Sequence, residues 1–189
     1  MKTILLKGLS RENLGTSQSR KLRDEGLVPC VLYGGQEHVT FSVYSDDFKN
    51  LIYTPNTYLV KLDIEGKIHR AVVKEVQFHP VNDSLRHVDF IAVTEDKPIM
   101  VQIPTKVIGN SPGVRAGGRL ALKLKKVRIK GFIKDLPDFL EVNIDSLELG
   151  KSIKVADISL PKIEILEAPN VAVASVETTR ATKQAAAEA

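Results

Sequence analysis

The sequence has few of the residues with which a small protein cross-links itself or binds metal ions. It contains one cysteine, Cys30, four histidines and no tryptophan. A single thiol cannot form an internal disulfide and is typical of a reducing compartment, so we expect a cytoplasmic location. With 43% hydrophobic residues, a folded chain of this length buries about 70% of its unfolded surface. It therefore needs no disulfide or metal for stability, and we expect no cofactor.

Long apolar runs are also missing. The apolar run in residues 1–7 is too short for a secretory signal, and no stretch reaches the ~18 apolar residues typical of a membrane span. These absences predict a soluble protein that is not exported and has no membrane partner.

Charge is unevenly distributed, although the net charge is only +4. Residues 11–23 contain four basic residues and one acidic residue, and residues 115–134 contain eight basic residues and no acidic one. The mild net charge is weak evidence for a partner, but clustered cations are typical of surfaces that bind a polyanion.

Alternating apolar residues and turn residues predict short strands and two short helices in the first 93 residues. The first helix should begin at a capping Ser17 or Ser19 and end at Glu25, with Gly26 in the left-handed conformation. The second should begin at Ser45 and end near residue 52. The expected strands are 4–9, 28–33, 39–43, 58–64, 68–78 and 87–93.

A polar segment that ends in Pro98 separates this region from the rest, so we place a domain boundary after residue 93. Residues 94–177 read as strands alone, and their spacing predicts a β-sandwich or barrel. Residues 178–189 lack large apolar side chains and are expected to be disordered or a frayed helix. The expected strands of the second domain are 99–108, 120–124, 126–133, 140–144, 153–155, 163–166 and 171–176.

The start of the first helix, residues 15–23, combines four features that favour a bound anion. A glycine loop allows close backbone approach, serine hydroxyls donate hydrogen bonds, a helix N-terminus is positive, and Arg20, Lys21 and Arg23 add charge. Helical spacing spreads these three cations around the helix, so at least one should lie along the barrel or point to a ligand. The alternative is a solvated basic helix face.

His87 and Asp89 form a second candidate site. Alternation along a strand places them on one face, opposite Val88 and Phe90, so the pair points outward and could read base edges or sugar hydroxyls. A metal site that adds His79 is disfavoured because the spacing matches no compact ligand motif. A catalytic dyad is disfavoured because no activated nucleophile accompanies it. We expect neither a metal site nor enzymatic activity.

Three further features have competing interpretations. Tyr33 ends an apolar strand before a glycine pair, where it could stack on a base or pack at a barrel rim. Cys30 lies within the same strand and is expected to be buried. The cations between Arg115 and Lys130 change phase at Lys125, which predicts a bulge or a turn. They form a basic sheet face that either contacts a polyanion or protects an edge from aggregation.

Four motifs in the first half occur in an order that resembles a known family. They are Ser19-Arg20-Lys21-Leu22-Arg23, Val28-Pro29-Cys30-Val31-Leu32-Tyr33-Gly34-Gly35, Gln77-Phe78-His79-Pro80 and His87-Val88-Asp89-Phe90. Together they resemble the family of bacterial large-subunit ribosomal proteins numbered twenty-five, in its longer form. The second half, through segments 113–118, 136–137 and 145–150, resembles the C-terminal domain of the general stress protein CTC. The resemblance covers about residues 1–177.

The resemblance implies a six-stranded type of β-barrel that binds the loop E region of 5S ribosomal RNA in the central protuberance, and a sandwich-like C-terminal β domain. It implies neighbouring 23S ribosomal RNA and ribosomal proteins as further partners, and no small-molecule substrate. The family commonly has Gly-Lys-Gly-Ala-Ser at 15–19 and arginine at Phe78, so this chain lacks a cation at each point. The implied RNA contacts are Arg11, Ser19, Arg20, Lys21, Arg23, Tyr33, Gln77, His87 and Asp89, with His79 as a weaker one.

The second half leaves a competing function open. It could be a stress-linked protein-interaction module in a chain whose RNA binding is incidental, and full RNA affinity of residues 1–93 alone would favour a separate role for it. Its cations are nevertheless candidate secondary RNA contacts. These are Arg115, Arg119, Lys123, Lys125, Lys126, Arg128 and Lys130.

Overall fold

The protein, described by a computed structural model, is built mainly from β-strands, as the sequence predicts. Within the described residues there are thirteen strands, three short α-helices and two 3₁₀-helices, and none of these helices is long and apolar enough to span a membrane. The structure describes residues 1–11, 14–35, 38–94 and 97–179.

The chain divides into two compact units. The first consists of Met1–Val101 and Phe132–Leu136, and the second contains Gln102–Gly131 and the described residues from Pro137 onward. The domain boundary placed after residue 93 stays a prediction. The expected C-terminal tail lies, from residue 180 onward, outside the described residues.

Six strands of the first unit close into a barrel. They are β1 (Lys2–Ser10), β2 (Leu27–Tyr33), β3 (Val39–Tyr44), β4 (Tyr58–Ile64), β5 (Lys67–Phe78) and β6 (Leu85–Ala92). Around the barrel the order is β1-β3-β2-β6-β5-β4. The pairs β1 with β4 and β2 with β6 are parallel, and the other four are antiparallel. Closure pairs both edges of the sheet, and the expected six-stranded barrel is confirmed.

Inward-facing apolar side chains fill this barrel. Along β4, for example, Val60 and Leu62 are buried while Lys61 between them is exposed, which is the period of two expected for a strand. The rings of Phe41 and Phe90 pack in the core with centroids 5.7 Å apart. Cys30 is fully buried, as predicted, and burial raises the pKa of its thiol above the ordinary value. The thiol is therefore a protonated core group.

The first predicted helix is present, but it begins differently from the prediction. Helix α1 (Thr16–Asp24) starts after Gly15, and no side chain caps its first turn, so the expected cap by Ser17 or Ser19 is wrong. Ser19 Oγ instead donates a 2.9 Å hydrogen bond back to the Gly15 carbonyl. The helix end is as predicted, because Gly26 has a φ of 80°, which glycine adopts without strain.

The second predicted helix is present as a 3₁₀-helix followed directly by one turn of α-helix. Residues Ser45–Phe48 form a 3₁₀-helix, which continues into α2 (Lys49–Ile52). Phe48 and Leu51 are buried in the barrel core, so the segment is held by packing. Its extent agrees with the prediction from the sequence.

The second unit contains two sheets. The strands of these sheets are β7 (Ile99–Ile108), whose first three residues belong to the first unit, β8 (Arg119–Leu122), β9 (Lys126–Gly131), β10 (Leu140–Asn143), β11 (Ser152–Lys154), β12 (Glu164–Ile165) and β13 (Ala172–Glu177). One sheet has the order β10-β7-β9-β12 and the other β11-β13-β8. The prediction of strands alone is wrong in two places, because α3 (Pro112–Arg115) and a 3₁₀-helix at Val155–Asp157 interrupt them. Ser111 caps α3, since its Oγ accepts the Val114 N–H at 3.3 Å.

The change of phase at Lys125 marks the passage from one sheet to the other. Strand β8 belongs to the three-stranded sheet and β9 to the four-stranded sheet. Between them, the N–H groups of Lys123 and Leu124 both donate to the Val173 carbonyl, and the Lys125 carbonyl accepts the Thr105 N–H. Of the two alternatives left open by the sequence, the structure has the turn.

Candidate nucleic-acid interface

Helix α1 lies against the barrel next to β2, and an arginine fastens it to β6. The Nε–H of Arg23 donates to the Arg86 carbonyl at 3.0 Å. Arg23 is half-buried, whereas Arg20 and Lys21 are exposed. This confirms that one of the three helix cations lies along the barrel. The other two have their charges in solvent.

Arg11 lies at the end of β1 and connects to the same helix. Its backbone N–H donates to the Thr40 carbonyl at 3.0 Å, and Thr40 Oγ1 donates to the Arg11 carbonyl at 2.8 Å. The Arg11 guanidinium donates through Nη2 to Ser19 Oγ at 3.3 Å, while its buried Nε has no hydrogen-bond partner. Hydrogen bonds with Thr40 thus fix the backbone position of Arg11. One donor of its guanidinium, Nε, has no partner in the described residues.

Arg86 is a third arginine at this place, and the sequence analysis missed it. Burial and the positive charges of Arg86 and Arg11 together lower the pKa of Arg23. Within the described ranges, none of these three arginines has a carboxylate partner. Like charges held close together repel each other, so the group favours an anion that would neutralise it.

The position of Arg86 follows from a β-bulge between β5 and β6. Gln77 pairs with His87, and Phe78 pairs with Leu85, so Arg86 is an extra residue on β6. Strict alternation from Val88 would place residue 86 inside the barrel; instead Leu85 is buried and Arg86 is exposed. A charged residue at an inward position, preceded by leucine, was the signal in the sequence that could have indicated the bulge.

His87 and Asp89 form an outward-facing pair, as predicted. Both side chains are about one quarter exposed, and His87 Nδ1 lies 2.6 Å from Asp89 Oδ1. Val88 and Phe90 are fully buried on the opposite face. The exposed Gln77 lies opposite His87 on β5, so amide, imidazole and carboxylate groups share one patch.

The barrel register brings this patch to the side that carries α1. Val31 on β2 pairs with Asp89 on one side and with Thr40 on the other, and Thr40 in turn bonds to Arg11. Together with the bond from Arg23 to the strand residue before His87, this places the helix cations and the polar pair on one side of the barrel.

Tyr33 belongs to the same surface. It is half-buried, and burial first, then the charges of Asp89 and Glu75, raise its pKa. Its ring is nearly parallel to that of His38, with centroids 6.5 Å apart and an interplanar angle of 21°. His38 is exposed and was not among the predicted residues. The geometry suits both base stacking and rim packing, so both interpretations remain open.

Phe78 and His79 lie where β5 ends. Phe78 is 42% exposed, and its ring packs at a tilt against Tyr53. His79 closes the turn that follows, because its N–H donates to the Ser84 carbonyl and its Nδ1 accepts the Val81 N–H at 3.3 Å. One ring nitrogen is therefore occupied by the turn, in keeping with the lesser weight given to His79. Within the described residues, no three His, Cys, Asp or Glu side chains could hold a metal ion.

Three of the seven candidate cations in the second unit have glutamate partners. Arg128 makes two bonds to Glu167, Nε to Oε1 at 2.8 Å and Nη2 to Oε2 at 3.2 Å. Lys130 Nζ lies 3.6 Å from Glu164 Oε2. Lys123 pairs with Glu177. The expected strongly basic sheet face is wrong for these three residues, because acidic residues distant in the sequence lie next to them. Any RNA contact by the seven cations stays a prediction.

The barrel thus has an arginine group, without carboxylate partners in the described part of the chain, beside outward-facing polar and aromatic side chains. The fold and this surface define a two-unit β protein whose barrel carries clustered positive charge on one side. Residues 6–90 match the family described as Ribosomal L25p, and residues 98–180 match the description Ribosomal protein TL5, C-terminal domain. The chain belongs to the Ribosomal L25p family.

Similar proteins from other bacteria cover the whole length. The Large ribosomal subunit protein bL25 of Azobacteroides pseudotrichonymphae is 45% identical over 95% of this chain and 96% of that protein. The protein of the same name from Phocaeicola vulgatus is 43% identical over 100% and 99%. That of Porphyromonas gingivalis is 39% identical over 98% of each chain. The likeness therefore extends over both units.

Proposed function

We propose that this protein is a structural component of the bacterial large ribosomal subunit and binds the loop E region of 5S ribosomal RNA through its barrel, without enzymatic activity. The observation that carries the proposal is the placement of Arg11, Arg23, His87 and Asp89 on one side of the barrel, where the two arginines have no carboxylate partner among the residues that the structure describes. The relatives' names support the ribosomal part. The protein would work on the cytoplasmic ribosome, in the central protuberance, next to 23S ribosomal RNA and other ribosomal proteins.

The charged groups and the polar groups of this surface can bind different parts of an RNA. Arginine side chains and the Ser19 hydroxyl suit phosphate oxygens, which fix the register of a complex without reading sequence. Gln77, His87 and Asp89 offer donors and acceptors to bases and 2′-hydroxyls, which regular A-form RNA exposes only in its shallow groove. A distorted helix with a widened groove is therefore the target that this surface fits.

The direct test is nucleotide protection. Chemical probing of 5S ribosomal RNA with and without the full chain should show protected nucleotides confined to loop E. Binding should weaken with salt along a slope equivalent to about 4–6 phosphate contacts. Protection elsewhere in the RNA, or none at concentrations that saturate binding, would contradict the proposal.

A second candidate role concerns the second unit alone. The pairing of Lys123, Arg128 and Lys130 with glutamates leaves less free positive charge there than the sequence suggests. This favours a protein partner for the second unit, as in a stress-linked interaction module, over a large RNA contact. A protein partner would be recognised by crosslinking the full chain on assembled ribosomes.

A further inference from the structure

The bulge in β6 gives Arg86 a position that no regular strand would provide. Its neighbour Leu85 is buried in the barrel core, and the next residue, His87, begins the outward polar pair. The extra residue lets Arg86 point outward together with His87. A cation is thereby added to the edge of the patch formed by His87, Asp89 and Gln77.

The side chain of Arg86 has no hydrogen-bond or ion-pair partner in the part of the chain that the structure describes. Only its backbone carbonyl is used, as the acceptor for Arg23 Nε at 3.0 Å. Within the described residues, the guanidinium makes no hydrogen bond and no ion pair. Burial lowers the pKa of Arg23, and the charge of Arg86 lowers it further. Like charges held close together, as those of Arg86 and Arg23 are, reduce the stability of the free protein, and a bound anion would remove this cost.

We propose that Arg86 is an RNA-binding residue, and that its guanidinium, with those of Arg11 and Arg23, holds one backbone phosphate of the RNA bound by the barrel. The inference rests on the proposed function and adds a residue to that site. The chemistry is suitable because guanidinium groups give planar, paired donors to phosphate oxygens. The Arg11 guanidinium lies at the same helix as Arg23, where its Nη2 donates to Ser19 Oγ at 3.3 Å.

Arg86 can be substituted without removing the hydrogen bond that it makes to Arg23, because that bond uses its backbone carbonyl. In Arg86→Ala the carbonyl that anchors α1 remains, so the variant removes a charge without releasing the helix. Arg86→Lys keeps the charge but loses the planar pair of donors. The control is Lys61→Ala, an exposed cation on β4, which lies across the barrel from β2 and α1.

The measurement is equilibrium binding of full-length variants to 5S ribosomal RNA over a range of salt concentrations. We expect Arg86→Ala to bind at least roughly fivefold more weakly and to reduce the salt slope by about 1. Arg86→Lys should bind with intermediate affinity and the wild-type slope. Lys61→Ala should match the wild type. The melting temperature of Arg86→Ala should be unchanged or raised, with any rise disappearing at high salt.

Two results would overturn the inference. One is an Arg86→Ala variant that binds like Lys61→Ala. The other is a loss of affinity with an unchanged salt slope, shared equally by Arg86→Lys, since that pattern reports a shape effect. Failure of the wild-type chain itself to bind 5S ribosomal RNA would instead contradict the proposed function.

Discussion

Arg23 has two roles in this structure. Its Nε–H holds α1 on β6, and its charge belongs to the arginine group whose members repel one another. Arg20, three residues earlier and exposed, can contribute charge alone. The same short helix therefore carries one arginine that also anchors it to the barrel, Arg23, and one that contributes only its charge, Arg20.

Replacing Arg20 and Arg23 together by alanine should weaken binding to 5S ribosomal RNA, because two cations leave the proposed phosphate-binding surface. The expected cost is about 1–3 kcal/mol for each residue. Titration of the RNA with full-length variants measures it, with Lys61→Ala/Lys67→Ala as a charge-matched control on β4 and β5. Equal affinities of the two double variants would place the RNA site elsewhere.

The ion pair of Arg128 and Glu167 should make a pH-dependent contribution to stability. The bond from Arg128 holds the pKa of the Glu167 carboxyl below its ordinary value of 4.5. A lowered folded-state pKa stabilises the protein above that ordinary value and loses this effect as the pH falls through the folded-state pKa. Glu167→Gln should therefore cost less than about 1 kcal/mol at pH 7, as is usual for an exposed pair.

Chemical unfolding of the wild type and Glu167→Gln at pH 7 and at pH 3 measures this difference. The difference in unfolding free energy between the two proteins should be smaller at pH 3 than at pH 7, because the carboxyl of the unfolded chain is then protonated. A gap of the same size at both values would show that the effect of the substitution does not come from the carboxylate charge.

At the scale of elements, a comparison of Gly34 with Gly66 distinguishes the cost of backbone strain from the cost of a steric clash. Gly34, after β2, has a φ of 86°, and a Cβ there would lie 2.9 Å from Ile91 Cγ1. Gly66, between β4 and β5, has a φ of 84° with nothing within 4 Å of such a Cβ. The two positions share the left-handed backbone and differ in what surrounds them.

Gly66→Ala should cost about 1–2 kcal/mol of unfolding free energy, which is the penalty for an L-residue in the left-handed region. Gly34→Ala should cost more, because Ile91 must also move. Denaturant unfolding of both variants measures the difference. Equal costs for the two variants would mean that the Ile91 side chain moves aside without a loss of stability. The close approach of Gly34 and Ile91 would then not help to position Tyr33 at the end of β2.

At the scale of the whole molecule, the two units differ in how many of their candidate RNA-binding cations have carboxylate partners within the described residues. Arg11, Arg23 and Arg86 of the barrel lack carboxylate partners within the described residues, whereas three cations of the second unit have glutamate partners. We therefore expect the barrel to supply most of the affinity for 5S ribosomal RNA.

The full-length variant Arg115→Gln/Arg119→Gln/Lys125→Gln/Lys126→Gln tests this expectation on the candidate secondary contacts outside those three pairs. Its affinity for 5S ribosomal RNA should stay within about twofold of the wild type, apart from a small long-range charge effect that salt screens. The same titration as for the barrel variants applies. A loss as large as that of Arg20→Ala/Arg23→Ala would assign the second unit a direct part in binding this RNA.

Local sequence patterns determined the strands, the buried Cys30 and the outward pair of His87 and Asp89, because period and turn chemistry act over a few residues. They did not determine the start of α1, where Ser19 bonds backwards to Gly15. The exposure of Arg86 also escaped them, since a bulge depends on the partner strand.

Only the tertiary structure decided which charges are neutralised. The window 115–134 has no acidic residue of its own, yet Glu164, Glu167 and Glu177 reach its cations from later parts of the chain. The arginines near α1 have no such neighbours among the described residues. Side-chain charge is fixed by composition, but whether it is free to bind a ligand depends on contacts between residues far apart in sequence, and folding alone creates those contacts.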